Sequence, residues 1–226
     1  MPRTLDPAAH ALRRDAFVDG AQRLIARGGY ERLSIAELLA ELGTSRGAFY
    51  HYFDSKEALL EAVVDRMADG AVAELAQVAG DATIPAAEKI ESMFAALARF
   101  KGERSELIFE LMETWNSDAN AVVREHLRTE VVARLEPLIA QVVREGVEQG
   151  VFDVASADDT ASVLVSLIQG ASERAGRMLL AVRTGVVRLP DVKRFSATYA
   201  EAFRRVLGLE RPITLMDDET LEFWFG

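Results

Sequence analysis

Apolar residues recur every three or four positions along almost the whole chain, which is the spacing of one face of an α-helix. The strict alternation typical of β-strands is almost absent. The first such segment spans about residues 7–27, and the glycines at 28 and 29 end it. Its apolar stripe comprises Leu12, Phe17, Ala21, Leu24 and Ile25. The pattern predicts an all-α protein.

Two short helices follow between residues 34 and 51. Ser34 and Glu37 have the spacing of a capping box, and Gly43 ends the first helix. The second helix, from about Ser45 to His51, is too short to be stable alone. Two helices joined by a tight glycine-containing turn are typical of a helix-turn-helix. A longer helix, capped by Asp54 or by the serine after it, continues to about residue 78.

The second of these helices has an unusual composition. It begins with small and basic residues and then carries five rings in a row, at residues 49–53. Phe49 and Phe53 lie four positions apart, so we expect them to face inward, which leaves Tyr50, His51 and Tyr52 outward. Hydroxyls, ring tips and helix N-terminal amides can meet phosphates and base edges of DNA, and Gly47 allows close backbone approach. The alternative is that these rings only pack within the fold.

Residues 80–85 form a linker, and five longer amphipathic segments follow. They span approximately residues 86–101, 104–116, 119–149, 157–183 and 191–207. Pro137 interrupts the third segment and should kink it, since proline removes a backbone donor. Ser156 with Asp159 indicates a capped start of the fourth.

Charge and composition narrow the possible functions. The net charge is −10, yet residues 1–56 hold eight Lys/Arg and seven Asp/Glu, a net of +1. Residues 1–56, called the head below, are thus nearly neutral, whereas residues 57–226, called the body, are acidic. This distribution is compatible with DNA binding through the head alone. There is no cysteine, no apolar run of ~18 residues that a membrane span needs, and no apolar secretory signal at the start. We therefore expect a cytoplasmic protein without membrane association.

The head closely resembles the tetracycline-repressor-like (TetR) family of regulators over about residues 10–65. The resemblance rests on residues 29–30, 34–35, 43–53 (GTSRGAFYHYF) and 55–59 (SKEAL). It implies that Ser34 and Lys56 contact phosphates and that Thr44, Ser45 and Arg46 lie at base edges. It also implies contact of Tyr50 and His51 with phosphate or a thymine methyl group. Ordinary solvated charge remains the alternative for Arg46 and Lys56.

The resemblance implies the organisation of the remaining chain. We expect an N-terminal three-helix helix-turn-helix DNA-binding domain (1–56), a helical effector-binding and dimerisation domain (57–212) and a C-terminal tail (213–226). Small residues along 157–183 and aromatic residues in 191–207 favour a homodimer formed through about 157–207, although both helices could instead close only their own domain. The aromatic tail is expected to dock on the body or across the dimer.

An apolar and aromatic set with nearby polar groups supplies a candidate pocket for an unidentified small-molecule effector, although such a set also suits a plain core. The candidate ligand-binding residues are Phe94, Leu97, Phe109, Met112, Glu113, Trp115 and Asn116.

Two other classes of function are alternatives to a regulator. An enzyme is disfavoured because three histidines without metal-ligand spacing and no phosphate-binding or nucleophile motif supply too little chemistry. No cofactor or metal is therefore expected. A helical ligand-binding or adaptor protein without DNA regulation is the alternative. The sequence favours a one-component regulator, a repressor released from a palindromic operator in double-stranded DNA by its effector.

Overall fold

The computed structural model describes residues 7–115 and 121–226, without the side chains of residues 113–115, 122, 123 and 126. The described residues form ten helices and no strand. The helices are α1 (Pro7–Gly28), α2 (Ile35–Leu42), α3 (Arg46–Tyr50), α4 (Lys56–Gly80), α5 (Ala86–Gly102), α6 (Ser105–Trp115), α7 (Ala121–Glu148), α8 (Ala157–Arg183), α9 (Leu189–Val206) and α10 (Asp218–Phe225). The all-α prediction is confirmed.

One compact unit lies within Met1–Gly70 and Glu103–Leu127. The buried face of α1 packs against α2 and α6, and Leu107 and Leu111 of α6 belong to the same apolar core. The stripe predicted for α1 is correct from Phe17 onward, but Leu12 is 71% exposed. The prediction for Leu12 was wrong because helical periodicity does not tell where along a helix its packing partners end.

The turn between α2 and α3 is built as the sequence predicts. The Ser34 hydroxyl accepts a hydrogen bond from the backbone N–H of Glu37 at 3.1 Å and caps α2. Gly43 ends α2 in the left-handed conformation, with φ of 59°, which side chains with a Cβ rarely adopt. The Ser45 hydroxyl then accepts from the Ala48 N–H at 3.2 Å and caps α3. These local hydrogen bonds orient the five-residue α3.

A second compact unit comprises Ala71–Gly102 and Arg128–Gly226. Its core gathers apolar residues from α4, α5, α7, α8 and α9. The α7 helix continues through Pro137, which is exposed. The Ser156 hydroxyl accepts from the Asp159 N–H at 3.3 Å and caps α8 as predicted.

A buried lysine joins three helices of this second unit. Lys89 of α5 is 2% exposed, and its ammonium donates to the Ala79 carbonyl near the end of α4 at 2.8 Å. The same ammonium donates to Glu145 Oε2 of α7 at 2.6 Å. Gln141 of α7 also donates to the Ala79 carbonyl, at 3.3 Å. A buried charge requires such partners, so Lys89 fixes the carboxyl end of α4 to α5 and α7.

The C-terminal residues form a capped helix that packs against other helices of the second unit. Asp217 accepts from the Thr220 N–H at 2.8 Å and caps α10, whose Leu221 and Phe225 are buried. The helix contacts α9 and, to a smaller extent, α8. Docking of the aromatic tail on the body is therefore confirmed, whereas its helical form was not predicted.

The two compact units do not coincide with the sequence-based division at 1–56, 57–212 and 213–226. The first unit extends through the first fifteen residues of α4 and also includes α6. The motif-based boundary marks where the helix-turn-helix pattern stops. It does not follow the packing, because α4 is one continuous helix and α6 buries its apolar side against α1.

Candidate nucleic-acid interface

The α3 helix is held in place by aromatic packing on its inner side. Phe49 is fully buried, and its ring lies edge-on to that of Phe17 with 5.7 Å between centroids. Phe53, just beyond α3, is also buried and lies 5.7 Å from the Phe49 ring. The inward placement predicted for Phe49 and Phe53 is confirmed. These contacts let α3 persist despite its length, since tertiary packing supplies what a short helix lacks.

The opposite side of α3 presents polar and aromatic groups to solvent. Ser45, Arg46, Gly47 and His51 are exposed, and Tyr50 is 45% exposed. The Arg46 guanidinium lies 5.8 Å from the centroid of the Tyr50 ring. Thr44 is half-buried at the turn. These predicted recognition residues therefore lie on or beside the accessible side of α3.

Tyr52 and His51 pack against a residue of α1 that sequence reasoning missed. The His10 ring lies 4.6 Å from that of Tyr52 and 5.5 Å from that of His51, centroid to centroid. Tyr52 is half-buried and also contacts Phe17 at 5.7 Å. The Tyr52 ring thus has a packing role whether or not its edge reaches DNA. A lone histidine near the start of an amphipathic helix carries no sequence signal that would have identified this contact.

The two residues expected at phosphates lie at the starts of α2 and α4. The exposed Ser34 hydroxyl already caps α2. The ammonium of the half-buried Lys56 donates to the Glu31 carbonyl at 3.4 Å and lies 4.2 Å from the centroid of the Tyr30 ring. Ser55, the residue before it, caps α4 by accepting from the Ala58 N–H at 3.1 Å. Both predicted phosphate contacts therefore sit beside capped helix N-termini, where the helix dipole favours anions.

Tyr30, whose ring contacts Lys56, is the second residue at the candidate interface that the sequence analysis did not single out as a site. The side chain is buried, and its hydroxyl has no hydrogen-bond partner among the described residues. Burial raises the pKa of Tyr30 to about 12, with smaller contributions from the carboxylates of Glu57 and Glu31. Its only sequence signal is its place in the family pattern beside Gly29.

The candidate effector residues are distributed over both compact units. Phe94 and Leu97 line an apolar cavity of about 40 Å³ in the second unit. Phe109 and Met112 lie on α6, which belongs to the first unit. The side chains of Glu113 and Trp115, and all of Asn116, lie outside the described residues. The cavity is lined by Leu75, Ile90, Met93, Phe94, Leu97, Leu135, Ile139, Ile168 and Phe203.

The described residues offer neither a cluster of metal ligands nor a membrane-spanning helix. Within residues 7–115 and 121–226, no three His, Asp or Glu side chains converge as ligands of a metal ion. No helix in this part of the chain combines the length and the apolarity of a membrane span.

Comparisons with known proteins match both the head and the body. Residues 17–63 match the model of the tetR family of bacterial regulatory proteins. The HTH-type transcriptional regulator BetI of Rhizobium meliloti (strain 1021) is 30% identical over 152 residues, which cover 66% of this chain and 68% of that protein. The HTH-type transcriptional repressor ComR of Escherichia coli (strain K12) is 41% identical over 56 residues, or 25% of this chain and 27% of that protein. Matches to several other curated proteins span only 15–28% of their lengths.

Solved structures share the same architecture. A TetR-family transcriptional regulator from Pectobacterium atrosepticum superposes with a TM-score of 0.68 at 20% identity, covering 93% of this chain and all of that one. At this identity the likeness establishes the fold alone, whereas the 30% identity to BetI over most of its length establishes descent. The chain therefore belongs to the tetR family of bacterial regulatory proteins, a family of helix-turn-helix transcriptional regulators.

Proposed function

We propose that the protein is a one-component transcriptional regulator that represses its target genes and is released from a palindromic operator by a small-molecule effector. The observation that carries the proposal is the exposed outer side of α3, with its capped start at Ser45 and its buried anchor at Phe49. Binding to operator DNA assigns its site of action to the cytoplasm.

The chemistry of the α3 surface suits the major groove. Arginine is the side chain that most often reads guanine, through two hydrogen bonds to one base edge, and Arg46 is exposed at the start of α3. Ser45 and Thr44 offer small hydroxyls beside it, and Gly47 adds no side chain that would keep the backbone away from a base. Tyr50 and His51 lie one turn further along and can donate to phosphates. Lys56 and Ser34 would hold the flanking phosphates, which position the protein without reading sequence.

Specific recognition requires two copies of this helix. A five-residue helix reads too few base pairs for specificity, so a two-fold operator and a homodimer follow. Exposed small and apolar residues on α8 support a dimer surface within 157–207. Val163 is 48% exposed, Ser166 is exposed, and Gly170 follows one turn later on the same face.

The effector is proposed to bind in the second unit, around the cavity lined by Phe94 and Leu97. The described lining is entirely apolar, which favours a hydrophobic ligand. The cavity of about 40 Å³ must widen to admit one, since ligand pockets usually measure ~300–1,000 Å³. Of the other predicted ligand contacts, Phe109 and Met112 are not among the described residues that line this cavity. They stay sequence-based predictions, together with Glu113, Trp115 and Asn116. Release follows only if the effector binds the DNA-competent and DNA-incompetent dimers with unequal affinity.

Gel shifts with a duplex spanning the DNA upstream of the gene test the function directly. The wild-type chain should give a discrete complex, and Arg46→Ala should weaken it by about five-fold or more, since a good bidentate base contact contributes ~1–3 kcal/mol. Arg144→Ala is the matched control. Its side chain is also exposed and forms an ion pair with Asp158 at 2.6 Å, so the same loss of one positive charge should leave the complex intact.

The rival function, a ligand-binding or adaptor protein without DNA regulation, predicts a different result. Footprinting of the purified chain on genomic fragments at low salt would then yield no protected site, and Arg46→Ala would behave as Arg144→Ala does. Protected sites with two-fold symmetry would exclude that rival and would also define the operator.

A further inference from the structure

Lys56 is the first residue of α4, where the helix dipole creates positive potential that disfavours a cation. The carboxylate of the next residue, Glu57, offsets part of this potential. A lysine at this point should turn its ammonium toward solvent unless neighbouring groups hold it. The same positive potential would make this place favourable for a DNA phosphate, so the orientation of the ammonium affects the interface.

Two neighbouring groups hold the ammonium of Lys56. The Glu31 carbonyl accepts one of its hydrogens at 3.4 Å, and the face of the Tyr30 ring lies 4.2 Å away, well within the range of a cation–π contact. Tyr30 is buried in the core of the first unit beside α1, so its ring cannot follow a moving lysine. The Tyr30 ring is therefore a fixed surface against which Lys56 is ordered.

We propose that Tyr30 is a positioning residue for DNA binding, whose ring holds the Lys56 ammonium where a backbone phosphate docks. The inference rests on the proposed function, because it assumes that Lys56 contacts DNA. A lysine side chain loses considerable rotamer freedom when it is fixed. Ordering it in the free protein removes that cost from the binding step, which is how preorganisation raises affinity.

The ring of Tyr30, and not its hydroxyl, performs this role. The hydroxyl has no hydrogen-bond partner within residues 7–115 and 121–226, so it contributes no bond that would fix the lysine. A tyrosine phenol is already neutral near neutral pH, and burial raises the pKa of Tyr30 further, to about 12, so the ring presents an uncharged π face. Phenylalanine should therefore replace Tyr30 without loss of DNA affinity, whereas an aliphatic side chain should not.

A double-mutant cycle tests whether Tyr30 acts through Lys56. Affinities for a duplex spanning the DNA upstream of the gene are measured by fluorescence anisotropy for the wild type, Tyr30→Leu, Lys56→Ala and the double variant. Tyr30→Leu should weaken binding about two- to five-fold, the amount expected from loss of an exposed cation–π contact. In the Lys56→Ala background the same substitution should change affinity by less than about 1.5-fold, because the coupled partner is gone.

Salt dependence and a conservative variant complete the test. Lys56→Ala should lower the slope of log affinity against log salt by about one unit, since one phosphate contact is lost, while Arg144→Ala leaves the slope unchanged. Tyr30→Phe should bind as the wild type does. If Tyr30→Leu does not fold, phenylalanine analogues with increasing numbers of fluorine atoms can be placed at position 30. Fluorination weakens the π face at nearly constant shape, so affinity for the duplex should fall as the number of fluorine atoms rises.

The outcomes separate the inference from the proposed function. An equal loss of affinity from Tyr30→Leu in both backgrounds, or no loss across the fluorinated series, would show a purely structural role and overturn the inference. An unchanged affinity and slope in Lys56→Ala would remove the lysine from the interface with the same result, although the chain would still be a DNA-binding protein. Failure of the wild-type chain to bind any duplex would overturn both.

Discussion

The protonation of Tyr30 links one buried side chain to the stability of the first unit. Its pKa rises to about 12 in the folded chain because burial disfavours the phenolate, and Glu57 and Glu31 add to the effect. An unfolded tyrosine ionises near pH ~10. The stabilising contribution of the neutral phenol is therefore complete below about pH 10 and is lost as pH rises toward 12.

Tyr30→Phe should remove this alkaline sensitivity. At pH 7 the variant should be as stable as the wild type or more stable by up to ~1 kcal/mol, because an unpaired buried hydroxyl is deleted. At pH 11 the free energy of unfolding of the variant should exceed that of the wild type by a larger margin. At this pH the tyrosine ionises in the unfolded wild type and stabilises the unfolded state, whereas phenylalanine cannot ionise. Urea unfolding midpoints at both pH values measure the two differences. A margin that is smaller at pH 11 would contradict the raised pKa.

Single residues at the candidate interface were only partly predictable from sequence. The exposure of Arg46 and Tyr50 and the burial of Phe49 follow from helical spacing. The contacts of His10 with Tyr52 and of Lys56 with Tyr30 do not, because each joins residues 25 or more positions apart whose proximity depends on how the helices pack. The spacing of residues in the sequence predicts which side chains share one face of a helix, but it does not predict which other helix or loop that face contacts.

At the scale of elements, helix positions were predicted where local chemistry marks them. Serine caps and the left-handed glycine at position 43 define α2 and α3, and α8 begins and ends at the predicted residues 157 and 183. The association of α6 with α1 was not predicted, because an amphipathic stripe does not specify its partner. The helical form of α10 was also missed, since aromatic tail residues gave no clear helical period.

The contact of Lys89 with α4 and α7 predicts a large cost for removing one charge. Lys89→Met should destabilise the protein by about 3 kcal/mol, because it leaves the Glu145 carboxylate without its cation in a partly buried site. The loss should be smaller than for a fully enclosed pair, since Glu145 retains some solvent and a hydrogen bond from Gln149 at 3.1 Å. Urea unfolding at one fixed protein concentration measures it.

Two further variants separate the buried pair from ordinary surface charge. Replacing both partners, in Lys89→Met with Glu145→Leu, should recover much of the lost stability, since no uncompensated charge remains. Arg144→Met breaks the exposed pair with Asp158 and should change stability by less than ~0.5 kcal/mol. Equal losses for Lys89→Met and Arg144→Met would mean that the lysine is not a buried anchor of α4.

At the scale of the whole molecule, the uneven charge distribution favours approach by the head. Residues 1–56 carry a net charge of +1, and the remainder of the chain carries −11. DNA would repel the acidic residues 57–226 more than the near-neutral residues 1–56, so binding should be oriented as well as salt-dependent. The distribution of charge along the chain therefore supports DNA binding, despite an overall net charge of −10. It does not supply the second copy of α3 that an operator requires.

The proposed dimer surface on α8 can be tested with one charge. Val163 is 48% exposed on the same face as Ser166 and Gly170, so a glutamate there would bring like charges into an apolar contact between two copies. We expect Val163→Glu to weaken the dimer by about a hundred-fold or more. Light scattering coupled to size-exclusion chromatography should then show a monomer, whereas the wild type should be a dimer.

DNA binding by the same variant decides whether the dimer is functional. A monomer contacts one half-site, so operator affinity should fall by orders of magnitude although α3 and Lys56 are untouched. Val147→Glu on α7 is the matched control, because that valine is 42% exposed and lies outside 157–207. A Val163→Glu protein that remains dimeric would move the interface away from this face of α8. A monomer that retains full operator affinity would instead mean that one α3, with its flanking phosphate contacts, is enough.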